Sequence, residues 1–362
     1  MIGSESKAEL GKSVFDLPTP ALVVDLDRVE ANLNEMQHLV SNAGRALRPH
    51  IKTHKCSTLA RMQVASGAIG VTCATLGEAE AMIAGGIRDI LIANQIVTSD
   101  KLERLAQTRA KAEVKFVVDS PYGIQVAENA AKAFNCIYEV LVEVDVGGAR
   151  CGAQTPMEAA WLTQRIQNSK YLRFGGIQAY YGGISYIKNL LERDQESRRS
   201  DNILRSFLQE VEKVCGIPRV SGAGTGHAAN MLKFSTLTEF QSGSYIYSDT
   251  TYSELSPEYL PALYVLSTVL SRPTPTMVVM DAGLKALGTE FSTPIVPDYP
   301  SLTIDHYSEE HIQWHATPDQ GPQIGEKVLI IPSHCCTTVN HHRVCYVIRG
   351  RNVVDIWAID AF

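Results

Sequence analysis

From about residue 21 to 255, apolar positions alternate between two textures. Short β-branched runs are followed by Ala-, Leu- and Glu-rich segments whose apolar residues recur at helical spacing. After a first helix, the runs "ALRPHIKT" (46–53), "GVTCAT" (70–75), "DILIANQ" (89–95), "EVKFVVD" (113–119), "YEVLVEVDV" (138–146), "RFGGIQAY" (173–180), "RVSGAGTG" (219–226) and "EFQSGSYIY" (239–247) predict eight strands. Between them, "GEAEAMIAGG", "DKLERLAQTRAKA", "MEAAWLTQRIQ" and "LRSFLQEVEKVC" predict helices. Such alternation implies parallel strands joined by right-handed crossovers. Eight units in roughly 200 residues fit a TIM-like (β/α)8 barrel better than the alternative, an open doubly wound sheet.

Beyond about residue 255 the pattern changes to short strands separated by prolines and glycines, as in "SRPTPTMVVMDAGLKALG", "EKVLIIPSHCC" and "RNVVDIWAIDAF". This predicts a second, mostly β domain. The expected division is α/β, with a (β/α)8 barrel over 24–255 and a β domain from 1–23 and 256–362. In a barrel the chemistry sits at the C-terminal ends of the strands. The predicted strand ends carry Lys52, Thr75, Asn94, Asp119, Asp145 with Arg150 after it, Tyr180, Thr225 and Ser244, a polar ring.

Composition narrows the function classes. The chain has 362 residues, 45% apolar and 20% charged, with a net charge of −6. A mildly acidic protein is a poor general binder of nucleic acid or of anionic membranes. No apolar run reaches the length of a membrane span, and "MIGSESKAELGKSVFDLPTP" has no apolar signal core. The eight cysteines are dispersed apart from Cys335-Cys336 and form no CxxC motif. Disulfides are therefore not expected, and a reducing, cytoplasmic location is the default.

Four segments carry candidate chemistry. "LRPHIKTHKC" holds His50, Lys52, His54 and Lys55 within six residues. Lys52, at the closing end of a strand, would be a partly desolvated amine, suited to nucleophilic or Schiff-base chemistry. A solvated surface lysine is the ordinary alternative, and Lys55 reads as a helix-start residue. "SGAGTGHAAN", from Ser221, is a glycine-rich turn whose N–H groups could wrap a phosphate at the seventh strand, with Gly243 and Ser244 of "QSGSY" at the eighth. It is not a P-loop, and the bland reading is a pair of tight turns. "DVGGARCG" sets Arg150 beyond the fifth strand, to hold a phenolate or carboxylate or simply to pair with a neighbouring acid. "IPSHCCTTVNHH" puts His334 and Cys336 two apart. In an extended segment both face one side, and imidazole plus thiolate favours zinc in an open, two-ligand site. A buried cysteine beside an unrelated histidine is the alternative; His341 and His342 are further candidate ligands.

Together, "DLPTPALVVDLDRVEANL", "RPHIKTHK", "DVGGARCG", "GIQAYYGG", "GAGTGH", "GSYIYSD", "DAGLKA", "SEEH" and "PSHCCTTVN" resemble, in order and over nearly the whole chain, the fold-type III pyridoxal-phosphate enzymes. This is the alanine racemase-like fold, in the branch of D-serine dehydratase, D-threonine aldolase and the 3-hydroxyaspartate lyases. The resemblance implies Lys52 as the Schiff-base lysine, Arg150 near the cofactor's phenolic oxygen, and Tyr180 beside its ring. It implies Thr225, Gly226, Gly243 and Ser244 around the phosphate, Gln241 at the pyridine nitrogen, and His334 and Cys336 on a metal, zinc before manganese or magnesium. Aldolases of this branch have an aspartate where Cys336 stands and a histidine base after the QAY motif, where this chain offers Tyr181 or Tyr186. The expected reaction is dehydration and deamination of a D-β-hydroxy-α-amino acid by a homodimer, with retro-aldol cleavage as the alternative. A racemase or a non-catalytic pyridoxal-phosphate protein is a further alternative.

Overall fold

The structure, a computed structural model, describes residues 8–234, 236–318 and 320–361. The chain forms two compact units. One takes the residues up to Glu35, Thr53–Cys56 and everything from Ser244 on; the other takes Met36–Lys52 and Ser57–Gly243. The chain thus crosses from one to the other at Glu35, Lys52, Cys56 and Gly243.

The strands, in chain order, are β1 Ala21–Asp25, β2 Ala46–Leu47, β3 Val71–Cys73, β4 Asp89–Gln95, β5 Glu113–Val118, β6 Tyr138–Val144, β7 Leu172–Ala179, β8 Val220–Gly222, β9 Glu239–Phe240, β10 Leu263–Ser271, β11 Met277–Met280, β12 Thr303–Tyr307, β13 Ile312–His315, β14 Lys327–Ile330, β15 Val344–Arg349 and β16 Asn352–Ala358. The larger unit is the expected barrel: β2 to β9 are all parallel, in the order β2-β9-β8-β7-β6-β5-β4-β3. The ring closes where Ile69 N–H donates to Leu47 O (3.0 Å), Thr72 N–H donates to Pro49 O (2.8 Å), and His50 bridges to Thr72. Helices alternate with the strands, and their starts follow capping chemistry. Thr75, Ser120 and Thr155 each accept an N–H of the first helical turn.

Period-two alternation divides the barrel interior into three layers. Leu91, Val117 and Leu141, from β4, β5 and β6, form a fully buried apolar plug, each worth about 1.5–3 kcal/mol of burial. Two residues N-terminal of each lie Asp89, Lys115 and Glu139, which join Arg48, Arg219 and Glu239 in an ionic floor. Arg48, 2% exposed, is held by Glu239 (3.2 Å) and Asp89 (2.5 Å), while Lys115 also meets Asp89 (2.9 Å) and Arg219 pairs with Glu139. Gly176 bends β7 at a register shift with φ +129°, and a Cβ there would strike the carbonyl of Arg219. The third layer, two residues C-terminal of the plug, is polar and holds Glu143.

The second unit is the expected β domain, with strand order β12-β13-β11-β10-β1-β15-β16 and β14 on β10. β1 runs antiparallel to β10 and parallel to β15. Val14, Leu17, Val23, Tyr264, Leu266, Ile331, Ile348 and Ile356 build its core. Among the described residues, no helix is long and apolar enough to cross a membrane.

Candidate active site

Lys52 does not lie on a strand. β2 ends at Leu47, and Lys52 falls in the single 3-10 turn Ile51–Thr53, whose N–H at Lys52 donates to His50 Nδ1 (3.3 Å). Pro49 lacks the N–H a ladder needs, so the strand stops before the turn. Lys52 is half-buried and lines a cavity of about 190 Å3 with His50, Asn94, Arg150, Gln178, Tyr180 and Gln241. Every one of these lies in the barrel unit. Lys55 starts no helix; it adopts φ 49°, its Nζ donates to Asn340 Oδ1 (2.6 Å), and the helix begins at Ser57.

Arg150 is positioned by the loop before it. Asp145 Oδ1 accepts from the N–H groups of Gly147, Gly148 and Ala149 at 2.9, 2.8 and 3.1 Å, which folds "DVGGAR" back on itself. The guanidinium lies 5.3 Å over the Tyr180 ring and 3.6 Å from Glu143. Glu143, which pairs with Arg150, and Gln178, which lines the cavity, are residues that sequence reading missed, because both sit inside strands. Gln95 Nε2 donates to Glu143 at 2.6 Å and also to Asp119 Oδ2 at 3.0 Å. Burial pushes the Glu143 carboxyl above its ordinary range, against the pull of Arg150 and the amides of Gln178 and Gln95.

Gln241 belongs to the same polar layer. Its Nε2 donates to Gln178 Oε1 (3.1 Å) and Ser221 Oγ (2.9 Å), so the amide is fixed in a buried network. At the end of β8, Thr225–His227 makes a 3-10 turn, and at the end of its neighbour β9 stand Gly243 and Ser244, all buried. A Cβ at Gly226 would run into Ser185, so glycine is required for this close approach. Behind the turn, Arg193 donates Nη1 to Gly226 O (3.0 Å), and Ser185 Oγ and His227 Nδ1 lie 2.8 Å apart. Burial, reinforced by Arg193, lowers the His227 imidazole to about 4. Tyr181 packs over Gly147 and Gly148 and is not among the residues lining the Lys52 cavity, while Tyr186 is 37% exposed.

In the second unit, His334 and Cys336 are not in an extended run. His334 caps the helix Cys335–Asn340, and Cys336 sits in its first turn. Thr338 closes that turn, donating both its N–H (3.3 Å) and its Oγ1 (2.7 Å) to His334 O. The pair still converges: the ligand atoms of His334, Cys335 and Cys336 all lie within 4.8 Å of one another. Cys336 Sγ has hydroxyl neighbours, Thr53 Oγ1 at 3.4 Å and Ser244 Oγ at 3.9 Å. Burial alone would lower the His334 imidazole, but Asp249 and Cys336 outweigh it and raise it to about 10. A divalent ion would compete for the same imidazole. His342 gives its Nε2 to a hydrogen bond with Ala286 O (2.7 Å), and His341 is exposed at the helix end.

Comparison with known proteins converges on one group. Residues 24–251 match the alanine racemase N-terminal domain, and residues 262–348 match a serine dehydratase domain. The chain is 35% identical to a D-threonine aldolase of Arthrobacter sp., over 98% of this chain and 95% of that one. It is 29% identical to a 3-hydroxy-D-aspartate aldolase of Paracoccus denitrificans, over 99% and 96% of the two chains. It is also 29% identical to a D-threo-3-hydroxyaspartate dehydratase of Delftia sp., over 95% and 98%. The crystal structure of D-threonine aldolase from Filomicrobium marinum superposes with a TM-score of 0.94 at 35% identity, covering 97% of each chain.

Proposed function

The chain belongs to the family that joins an alanine racemase-type barrel to a serine dehydratase-type domain, a family of D-amino acid lyases, and within it we propose a pyridoxal-phosphate- and metal-dependent dehydratase of D-β-hydroxy-α-amino acids. The observation that carries the choice of dehydration is the His334–Cys336 pair, a nitrogen and a sulfur donor with hydroxyls beside the sulfur. Such donors suit zinc above manganese or magnesium. The lining of the Lys52 cavity agrees with it: among the described residues there, no histidine follows the QAY segment to act as an aldolase-type base.

The residues fit the cofactor. An amine, an arginine, a fixed amide and a glycine that no other residue could replace are what a phosphorylated pyridine aldehyde needs. Lys52 would hold it covalently, Arg150 would face its phenolic oxygen, Tyr180 its ring face and Gln241 its pyridine nitrogen. Thr225, Gly226, Gly243 and Ser244 would take its phosphate. When bound, pyridoxal phosphate supplies a sink for the electrons released at the substrate α-carbon. Lys52, as a free amine, would be the base that takes the substrate α-proton. His334 and Cys336 would hold a divalent ion, which when bound supplies a Lewis acid for a hydroxyl leaving group. We take the working form as a homodimer acting on a D-amino acid.

A second reading, retro-aldol cleavage, is favoured by the 35% identity with a D-threonine aldolase. There Tyr181 or Tyr186 would take the proton of the substrate β-hydroxyl as the Cα–Cβ bond breaks, and a bound metal would supply the Lewis acid that makes that hydroxyl more acidic. Product analysis on D-serine, D-threonine and the D-3-hydroxyaspartates separates the two. Dehydration gives a 2-oxo acid and ammonia; cleavage gives glycine and an aldehyde. Neither product from any of the substrates would sink the lyase proposal.

A further inference from the structure

Asp249 went unremarked in the sequence, yet its carboxylate lies 3.1 Å from the His334 imidazole. Its side chain is completely buried. Three groups converge on it. Tyr252 N–H donates to Oδ1 (2.8 Å), Cys335 N–H donates to Oδ2 (2.8 Å), and His334 Nδ1 lies 3.1 Å from Oδ2. All belong to one compact unit. Nδ1 is the ring nitrogen committed to Asp249, so the tautomer able to bind a metal carries its proton on Nδ1. Nε2 is then left as a lone-pair donor, on the far side of the ring from Asp249. The N–H of Cys335, between the two proposed ligands, is anchored to the same oxygen, so one carboxylate fixes both the imidazole and the backbone that carries Cys336.

We propose that Asp249 is the positioning residue of the metal centre, fixing the His334 tautomer so that Nε2 ligates a divalent cation together with Cys336. This rests on the metal reading above. The rival role is structural: Asp249 also caps the helix Thr250–Leu255 through Tyr252 N–H. Serine separates the two roles, because it caps a helix nearly as well as aspartate but cannot reach out with a carboxylate.

The test uses full-length protein carrying its cofactor, stripped of metal with a chelator. Zinc affinity is measured by competition with a chromophoric chelator for the natural sequence, His334→Ala and Asp249→Ser. Cobalt(II) d–d absorption is recorded alongside as a report on ligand geometry, and thermal unfolding of the metal-free forms as a report on folding. The expected result is loss of tight zinc binding in His334→Ala. Asp249→Ser should bind zinc about 10- to 100-fold more weakly with a shifted cobalt spectrum, while its metal-free unfolding stays close to that of the natural sequence. Zinc affinity unchanged in Asp249→Ser but lost in His334→Ala overturns the positioning role alone. Zinc affinity unchanged in His334→Ala, or no zinc bound by the natural sequence, overturns the metal reading itself and the inference with it. Should Asp249→Ser not fold, Asp249→Thr, which also caps a helix and is too short to reach His334, is read by the same titration, with the same two outcomes.

Discussion

Lys52 and Lys55 share one basic stretch, three residues apart, and differ in what they face. Lys52 lines the barrel cavity; Lys55 is spent on Asn340. Lys52→Ala should therefore abolish the visible absorbance of a covalent pyridoxal adduct together with turnover, while Lys55→Ala keeps the adduct. The reverse pattern, seen by absorbance after borohydride reduction, would show that the wrong lysine has been assigned. His227 makes a second prediction. Its imidazole, neutral when folded, titrates at about 4 instead of its ordinary 6.5. Between those values the unfolded chain binds the proton and the folded one does not, so stability is lost as pH falls through this window and is intact above it. The loss should approach about 3 kcal/mol by pH 4. Urea titrations at pH 7.5 and pH 4.5 should show it in the natural sequence, and His227→Gln should flatten the difference.

At the scale of elements, the strands were legible and the turns were not. A run such as "DILIANQ" announces itself through β-branched residues, and β4 keeps all seven of its positions. The functional residues sit where that signal ends. "HIKT" reads as the tail of a strand, yet Pro49 and the His50–Lys52 hydrogen bond turn it into a 3-10 step. "SHCC" reads as extended, yet Thr338 closes a helical turn on it. Long-range partners such as Asp249 and Glu143 leave no local mark at all, since what matters about them is where the fold puts them. The ionic floor of the barrel is the same kind of feature. Arg48 has two carboxylates as partners there, and removing its charge leaves Glu239 and Asp89 with fewer. Arg48→Met should cost about 3–5 kcal/mol in urea-induced unfolding. The Lys52 cavity is built at the opposite ends of the strands, so turnover of the remaining folded protein should be little changed. Equal stability of the two proteins would mean that the floor contributes nothing.

At the scale of the whole molecule, neither unit is a continuous piece of chain. β1 lies inside a sheet between β10 and β15, although both partners come from the far end of the sequence. A fragment made of residues 244–362 alone would open two bare strand edges at that gap. We expect it to be insoluble when expressed by itself and to become soluble when a peptide covering residues 8–30 is supplied, as measured by the soluble fraction and by β-type circular dichroism. Solubility without the peptide would show that β1 is dispensable. The same arrangement sets a clock for biosynthesis. Between the end of β1 at Asp25 and the start of β10 at Leu263, about 240 residues must be translated. At about 5–20 residues per second, that is roughly 12 to 48 seconds. For all of that interval the nascent chain carries an apolar strand with no partner, while the residues of the barrel emerge behind it. The ribosome-bound intermediate thus carries β1 unpaired until β10 and β15 follow, and slowing translation would lengthen that exposure.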